Sequence, residues 1–205
     1  MITLPQNALA TVKGQHVLTI SDMRNGAAMD LERKIVRNIA MRQEVIKRKI
    51  VGAKILRDLW AEYNRLVQEL IYRFGSRSVM VENLTTDVGR SALMARLSGT
   101  TTYTGIVNYG ALGTSSTSPA VGNTVLGAET YRKALSSGTF LSNVAYLENF
   151  YTTTEVTGTF QEYAFFIDGT GSANTGQMWN RFTSTVVKSN VETLNVQSTI
   201  TCNSV

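Results

Sequence analysis

The sequence predicts a segregated α+β fold: long, coiled-coil-like helices within residues 1–98, then an antiparallel β-sandwich over residues 99–205. Three observations predict it. From Met29 to Phe74 there is no proline and a single glycine, Gly52, among abundant helix formers. After Gly99 the composition turns to Thr, Gly, Ser, Tyr, Phe and Val, with recurring turn signals. The charge divides at the same place. Residues 1–98 hold 16 Lys+Arg against 9 Asp+Glu (16 − 9 = +7), and residues 99–205 hold 4 against 6 (4 − 6 = −2).

Taken in order, residues 1–23 are short segments broken by Pro5 and Gly14, with "HVLTISDM" alternating as a short strand. Asn25-Gly26 marks a turn. A continuous helix over Met29–Phe74 would be roughly 65–70 Å long, but its periodicity changes midway. The first half offers Leu31, Ile35, Ile39, Ile46 and Ile50. The second half carries Leu56, Trp60, Tyr63, Val67 and Leu70 in steps of three and four, widened by Leu59 and Leu66. Arg42 and Lys49 interrupt the register if it is extended backward. This predicts two helical halves broken near Gly52. The stripe Leu56, Leu59, Trp60, Tyr63, Leu66, Val67 and Leu70 is the candidate oligomerisation surface; a core-facing helix within one subunit has the same pattern.

"TTDVGRSALMARLSG" (Thr85–Gly99) predicts a further helix, with Thr85 or Thr86 as cap, Leu93, Met94 and Leu97 as apolar face, and Gly99 at the end. Candidate strands follow at Tyr103–Leu112, Thr139–Tyr151, Val156–Asp168, Met178–Val187 and Val191–Asn203. In the last, Leu194, Val196, Ile200 and Cys202 alternate with Thr193, Asn195, Gln197, Thr199 and Thr201. One face is therefore buried and the other is wet or mated to another chain.

Composition narrows the function classes. A hydrophobic content of 43% with 17% charged residues reads as globular. One cysteine, Cys202, excludes an internal disulfide framework and a thiolate-rich zinc site. No apolar run approaches the ~20 residues of a membrane helix, and the N-terminus lacks the look of a secretory signal. Folding in a reducing cytosol with no membrane partner is expected. His16 is the only histidine and is expected to be a partly exposed packing residue. Glu148, Glu155 and Glu162 recur every seven residues, but nothing beside them marks a sugar platform, so solvated or interface carboxylates are expected. No metal spacing appears, so the chain is expected to be no enzyme and to carry no cofactor.

The basic run offers Arg33, Arg37, Lys47, Arg48 and Lys54 as a candidate basic face. It contains no interleaved aromatics and no reading motif, so a solvated or partner-facing assembly helix is expected rather than nucleic-acid binding.

The stretch "NYGALGTSSTSPAVGNTVLGAETYR" (Asn108–Arg132) has the glycines of a phosphate loop but no lysine and no clear following helix, which argues against a nucleotide cradle. Together with "NVAYLENFYTTTEVTGTFQEYAFFID", "GQMWNRF" and "ETLNVQSTITC", it resembles a β-domain recurring in structural proteins of tailed bacteriophages. That family shows an "ALGTG"-type strand end, a Thr/Ala/Pro loop, "DTxLxxExxR", an "ExGLF" strand, a hairpin and an Arg-Phe region. The match falls at Ala111–Thr114, Pro119, Thr124, Leu126, Glu129 and Arg132, then at Glu162, Phe165–Gly169, Arg181 and Phe182. It departs at Asn123, where an acid is usual, and at Tyr163–Ala164, where a glycine is usual.

The resemblance covers about residues 99–205. It implies a non-enzymatic virion component of the tail, neck or fibre apparatus, assembled in the host bacterial cytoplasm. The expected partners are copies of itself, as a trimer or larger ring, and other virion proteins. The alternatives are a fibre module reading a host-surface glycan, or a basic head–tail adaptor touching DNA. Glu129, Arg132 and Arg181 form a candidate structural ion-pair set, with Arg181 as the suggested partner of Glu129. In a regular strand Glu129 and Arg132 would point to opposite faces.

Overall fold

In the computed structural model, which describes residues 11–47 and 53–203, the first and last strands lie side by side. Strand β1 (Thr11–Asp22) pairs antiparallel with β10 (Glu192–Asn203) along its whole length, Thr11 opposite Asn203 and Asp22 opposite Glu192. Between them the chain forms α1 (Gly26–Lys47), α2 (Ala53–Phe74), β2 (Gly75–Glu82), β3 (Leu84–Thr85), α3 (Asp87–Leu97), β4 (Val107–Gly113), β5 (Glu129–Ala134), β6 (Ser137–Leu141), β7 (Val144–Tyr151), β8 (Gly158–Ile167) and β9 (Gln177–Lys188). Two five-stranded antiparallel sheets result. Sheet A runs β2-β1-β10-β7-β6 and sheet B runs β3-β9-β8-β4-β5.

The inner faces of the two sheets share one core: Leu18, Leu147, Leu194 and Val196 from sheet A meet Leu112, Tyr163, Phe165 and Phe182 from sheet B. The alternation of β10 supplies its part, with Leu194 and Val196 pointing inward. Its other face is also buried, Thr193 being 1% and Asn195 3% exposed. What covers that face is the chain's own helices.

This overturns the expected fold class. Among the described residues the helices are three, of 22, 22 and 11 residues, and none belongs to a long coiled-coil module ahead of a sandwich. Helices α1 and α2 pack side by side and are inserted between β1 and β2. Met23, Leu31, Ile35, Tyr63, Leu66, Val67 and Leu70 close with Phe150 of β7 into a second core on the outer face of sheet A. The physical reason is the strand pairing. β1 and β2 precede residue 98 yet complete sheet A, and β3 completes sheet B, so the charge step near Gly99 does not separate helices from strands. Asn25 starts α1 by accepting the Ala27 N–H at 2.8 Å on its side-chain oxygen.

Helix α3 packs across β9, reaching the core between the sheets through Ala92 and Leu93 and the outer face of sheet B through Val88. Thr86 caps α3 by accepting the Gly89 N–H. Gly89 allows the close approach, since a Cβ there would lie 2.7 Å from the Met178 carbonyl oxygen and the Trp179 Cα. The buried contacts of α3 are Gly89 and Ala92. Of the expected apolar face Leu93 is half-buried, and Met94 and Leu97 are 55% and 73% exposed.

Candidate functional site

On the outer face of sheet B the loop between β4 and β5 folds around a buried carboxylate. Glu162 of β8 is 0% exposed and meets Arg181 of β9, 3% exposed, at 2.9 Å. Glu162 also accepts the backbone N–H groups of Ser115, Gly127 and Ala128, at 3.2, 2.9 and 2.7 Å. Arg181 in turn donates to the carbonyls of Thr117 and Ser118 and to the side-chain oxygen of Asn123. One ion pair therefore holds both limbs of the glycine- and threonine-rich loop, and nearly all its polar capacity is used. Gly113 makes room for it, because a Cβ there would sit 2.4 Å from the Glu162 carboxylate.

A second pair stands beside the first. Arg132 and Glu129 meet at 2.8 Å with side chains 2% and 5% exposed. The guanidinium lies over the Phe166 ring, 4.1 Å from its centroid, and donates to the Thr175 carbonyl at 2.6 Å. Both residues are in β5, where opposite faces were expected. A bulge reconciles this: Leu112 faces Tyr131 but Gly113 faces Glu129, so Thr130 is an extra residue that brings Glu129 round to the side of Arg132. Arg181 is the partner of Glu162 rather than of Glu129.

Between the helices and sheet A lies a buried polar cluster. Arg42 of α1 is 7% exposed, stacks 4.3 Å from the Tyr63 ring centroid and donates to Ser137 Oγ and the Ser136 carbonyl. Trp60 donates its indole N–H to the same Ser137 hydroxyl at 2.8 Å. Glu148 of β7 faces this cluster and accepts from Gln197 at 3.2 Å; Tyr63 and Asn195 stand near it without hydrogen-bond geometry. Burial pushes the Glu148 carboxyl up to about 7, against the opposing pull of its neighbours and of Arg42.

His16 lies between the sheets, 0% exposed, stacked 3.6 Å from the Phe182 centroid, where burial pushes its imidazole down to about 4. It was expected to be partly exposed. Glu155 sits in the β7–β8 turn, paired with Lys133 at 2.6 Å and accepting the Thr152 N–H. The three carboxylates at seven-residue spacing do not converge: Glu148 is on sheet A, Glu162 on sheet B, and Glu155 in the turn.

A cleft of about 1120 Å³ opens beside β6. Its walls include Ala145, Leu147 and Ile200 of sheet A, Val107, Ile167 and Trp179 of sheet B, and Arg42, Leu56, Arg57 and Trp60 of the helices.

Of the candidate oligomerisation stripe, Tyr63, Leu66, Val67 and Leu70 are buried in the chain's own second core, and Leu56, Leu59 and Trp60 are half-buried. The core-facing alternative describes these positions. Of the candidate basic face, Arg33, Arg37 and Lys54 are exposed, and Arg33 pairs with Asp30 at 2.9 Å. Lys47 ends α1, and Arg48 lies outside the described residues. Sequence reasoning missed the edge strand β2 and Arg42, which it read only as a break in the seam, and it ran β6 and β7 together as the single candidate strand Thr139–Tyr151. It had Glu162 in the motif but gave it no partner. Among the described residues no group of three or more His, Cys, Asp or Glu side chains is placed to hold a metal ion, and no helix is long and apolar enough to cross a membrane. Comparison with protein-family models, with curated proteins and with solved structures finds no match, so the phage resemblance rests on its motif residues alone.

Proposed function

We propose that this chain is a structural, non-enzymatic component of a tailed-phage virion that assembles with copies of itself through the edges of sheet A. The observation that carries this reading is the pair of edges. Among the described residues β2 pairs only with β1, and β6 only with β7. Both expose apolar side chains: Val79 at 41% and Met80 at 66% on β2, Phe140 at 77% and Leu141 at 71% on β6. β6, "SGTFL", has no charge and no proline to guard it. β2 carries Arg77, paired with Glu192, and Glu82; free edges with exposed apolar side chains recruit further strands. Joining β6 of one copy to β2 of the next is a head-to-tail contact, which closes into a ring when the rotation per copy allows. The motif residues, now seen as an ion-paired frame around Glu162, supply the link to virion proteins.

The stripe on α2 is not the assembly surface in this reading, since its centre is buried. Mass photometry of the full chain tests the proposal. The wild type is expected to form a discrete oligomer, and Met80→Lys with Phe140→Lys to be monomeric and still folded. An unchanged mass distribution in the double variant contradicts it.

A further inference from the structure

We infer that the cleft beside β6 is a binding site for a long-chain carboxylate, an apolar acyl chain with an anionic head. The inference rests on different observations from the assembly reading, and Phe140 of the β6 edge also lines the cleft. The walls are the apolar inner-face residues of both sheets, Ala145, Leu147, Val107 and Ile167 among them. The volume of about 1120 Å³ is ample for one acyl chain, since small-molecule sites run from roughly 300 to 1,000 Å³.

Charge selects the ligand's head. Arg42 has no carboxylate within ion-pair distance among the described residues, and Arg57 stands at the same cleft with only Asp58, 4.0 Å away. Glu148, whose charge acts on Arg42, is raised by its burial to about 7 and so is only partly ionised at neutral pH. An apolar floor with two guanidinium groups at one side fits a carboxylate head with its chain between the sheets.

Both tryptophans of the chain, Trp60 and Trp179, line the cleft, so intrinsic fluorescence reads its occupancy. The delipidated full chain is titrated with palmitate, below its aggregation threshold, and separately with 1-hexadecanol. The expected result is a saturable change with palmitate and binding at least tenfold weaker for the alcohol. Ala145→Phe, which fills the floor, is expected to abolish binding. Arg42→Gln is expected to weaken palmitate at least tenfold without affecting the alcohol. Because Arg42 also supports the helices, Arg57→Gln serves as the second variant; its side chain is 73% exposed, and a loss of about threefold is expected. No saturable change, equal affinity for acid and alcohol, or indifference to Ala145→Phe overturns the inference. Palmitate that binds monomer but is expelled by the oligomer also overturns it, by making a neighbouring chain the occupant. Oligomer mass, recorded on the same samples, separates this outcome from failure of the assembly reading.

Discussion

Glu162 and Arg181 face each other from adjacent strands, 2.9 Å apart, with side chains 0% and 3% exposed. The pair is enclosed by the loop it holds, so removing one partner leaves the other charged, buried and uncompensated. Glu162→Ala is expected to destabilise the fold by about 3–5 kcal/mol. Glu162→Ala combined with Arg181→Met is expected to cost less than the sum of the single changes. Urea unfolding of the four proteins checks both statements, and strict additivity would contradict the coupling.

The neighbouring pair gives a graded comparison. Glu129→Ala strands Arg132 beneath Thr175 and over Phe166, and is expected to lower stability by roughly 3 kcal/mol. Glu155→Ala breaks a partly buried pair with Lys133 and a bond from the Thr152 N–H, and is expected to cost about 1–2 kcal/mol. By contrast, Arg33→Ala, on an exposed helical pair, is expected to cost under about 0.5 kcal/mol. Thermal midpoints of the three variants should fall in that order.

Two buried groups give stability opposite pH dependences. Glu148 is raised to about 7 in the folded chain from an ordinary 4.5, so folding holds its proton. Its contribution is fully present below about pH 4.5 and is lost as pH rises through about 7. His16 is lowered to about 4 from 6.5, so its contribution is present above about pH 6.5 and is lost as pH falls through about 4. Denaturant unfolding from pH 4 to 8 is therefore expected to show Glu148→Gln gaining on the wild type toward pH 8, by at most about 3 kcal/mol. His16→Phe should flatten the acid limb. Parallel curves for wild type and variants would contradict the assignments.

The α2 stripe is expected to act on folding rather than on association. Leu66 is 2% and Leu70 1% exposed within the chain's own core. Leu66→Ala should cost about 2–5 kcal/mol by cavity formation. Under native conditions it should leave the oligomer mass unchanged wherever the variant is folded. A folded Leu66→Ala monomer would return the stripe to the assembly surface.

Much of the strand layout was legible because alternation is local. Val191–Asn203 and Val156–Asp168 nearly coincide with β10 and β8. What covers a face is not local. The stripe through Leu56 and Leu70 announces burial, but its spacing is the same whether the partner is a second chain or sheet A. The pairing of Thr11 with Asn203 joins segments nearly the whole chain apart and leaves no trace in either. β2, "GSRSVMVE", lacks clean alternation because as an edge strand it is largely exposed, so the glycine and serine that open it read only as a helix stop. In the candidate site the motif named Glu129, Arg132, Glu162 and Arg181. The choice of partners turned on one extra residue, Thr130, which a period-two reading does not anticipate. Arg42 was missed because a charge in an apolar register looks like an interruption, whereas here its guanidinium stacks on Tyr63.

The central claim, edge-to-edge assembly through sheet A, is tested most directly by oxidative cross-linking of Met80→Cys with Phe140→Cys in a Cys202→Ser background, which removes the single native thiol. If β6 of one copy lies against β2 of the next, some of these side chains approach within disulfide range, Cα atoms about 4.4–6.8 Å apart. The account predicts a ladder of covalent oligomers on a non-reducing gel for the double variant, and at most a dimer for either single variant. A double variant that stays monomeric under oxidation, with both thiols titratable, would contradict it.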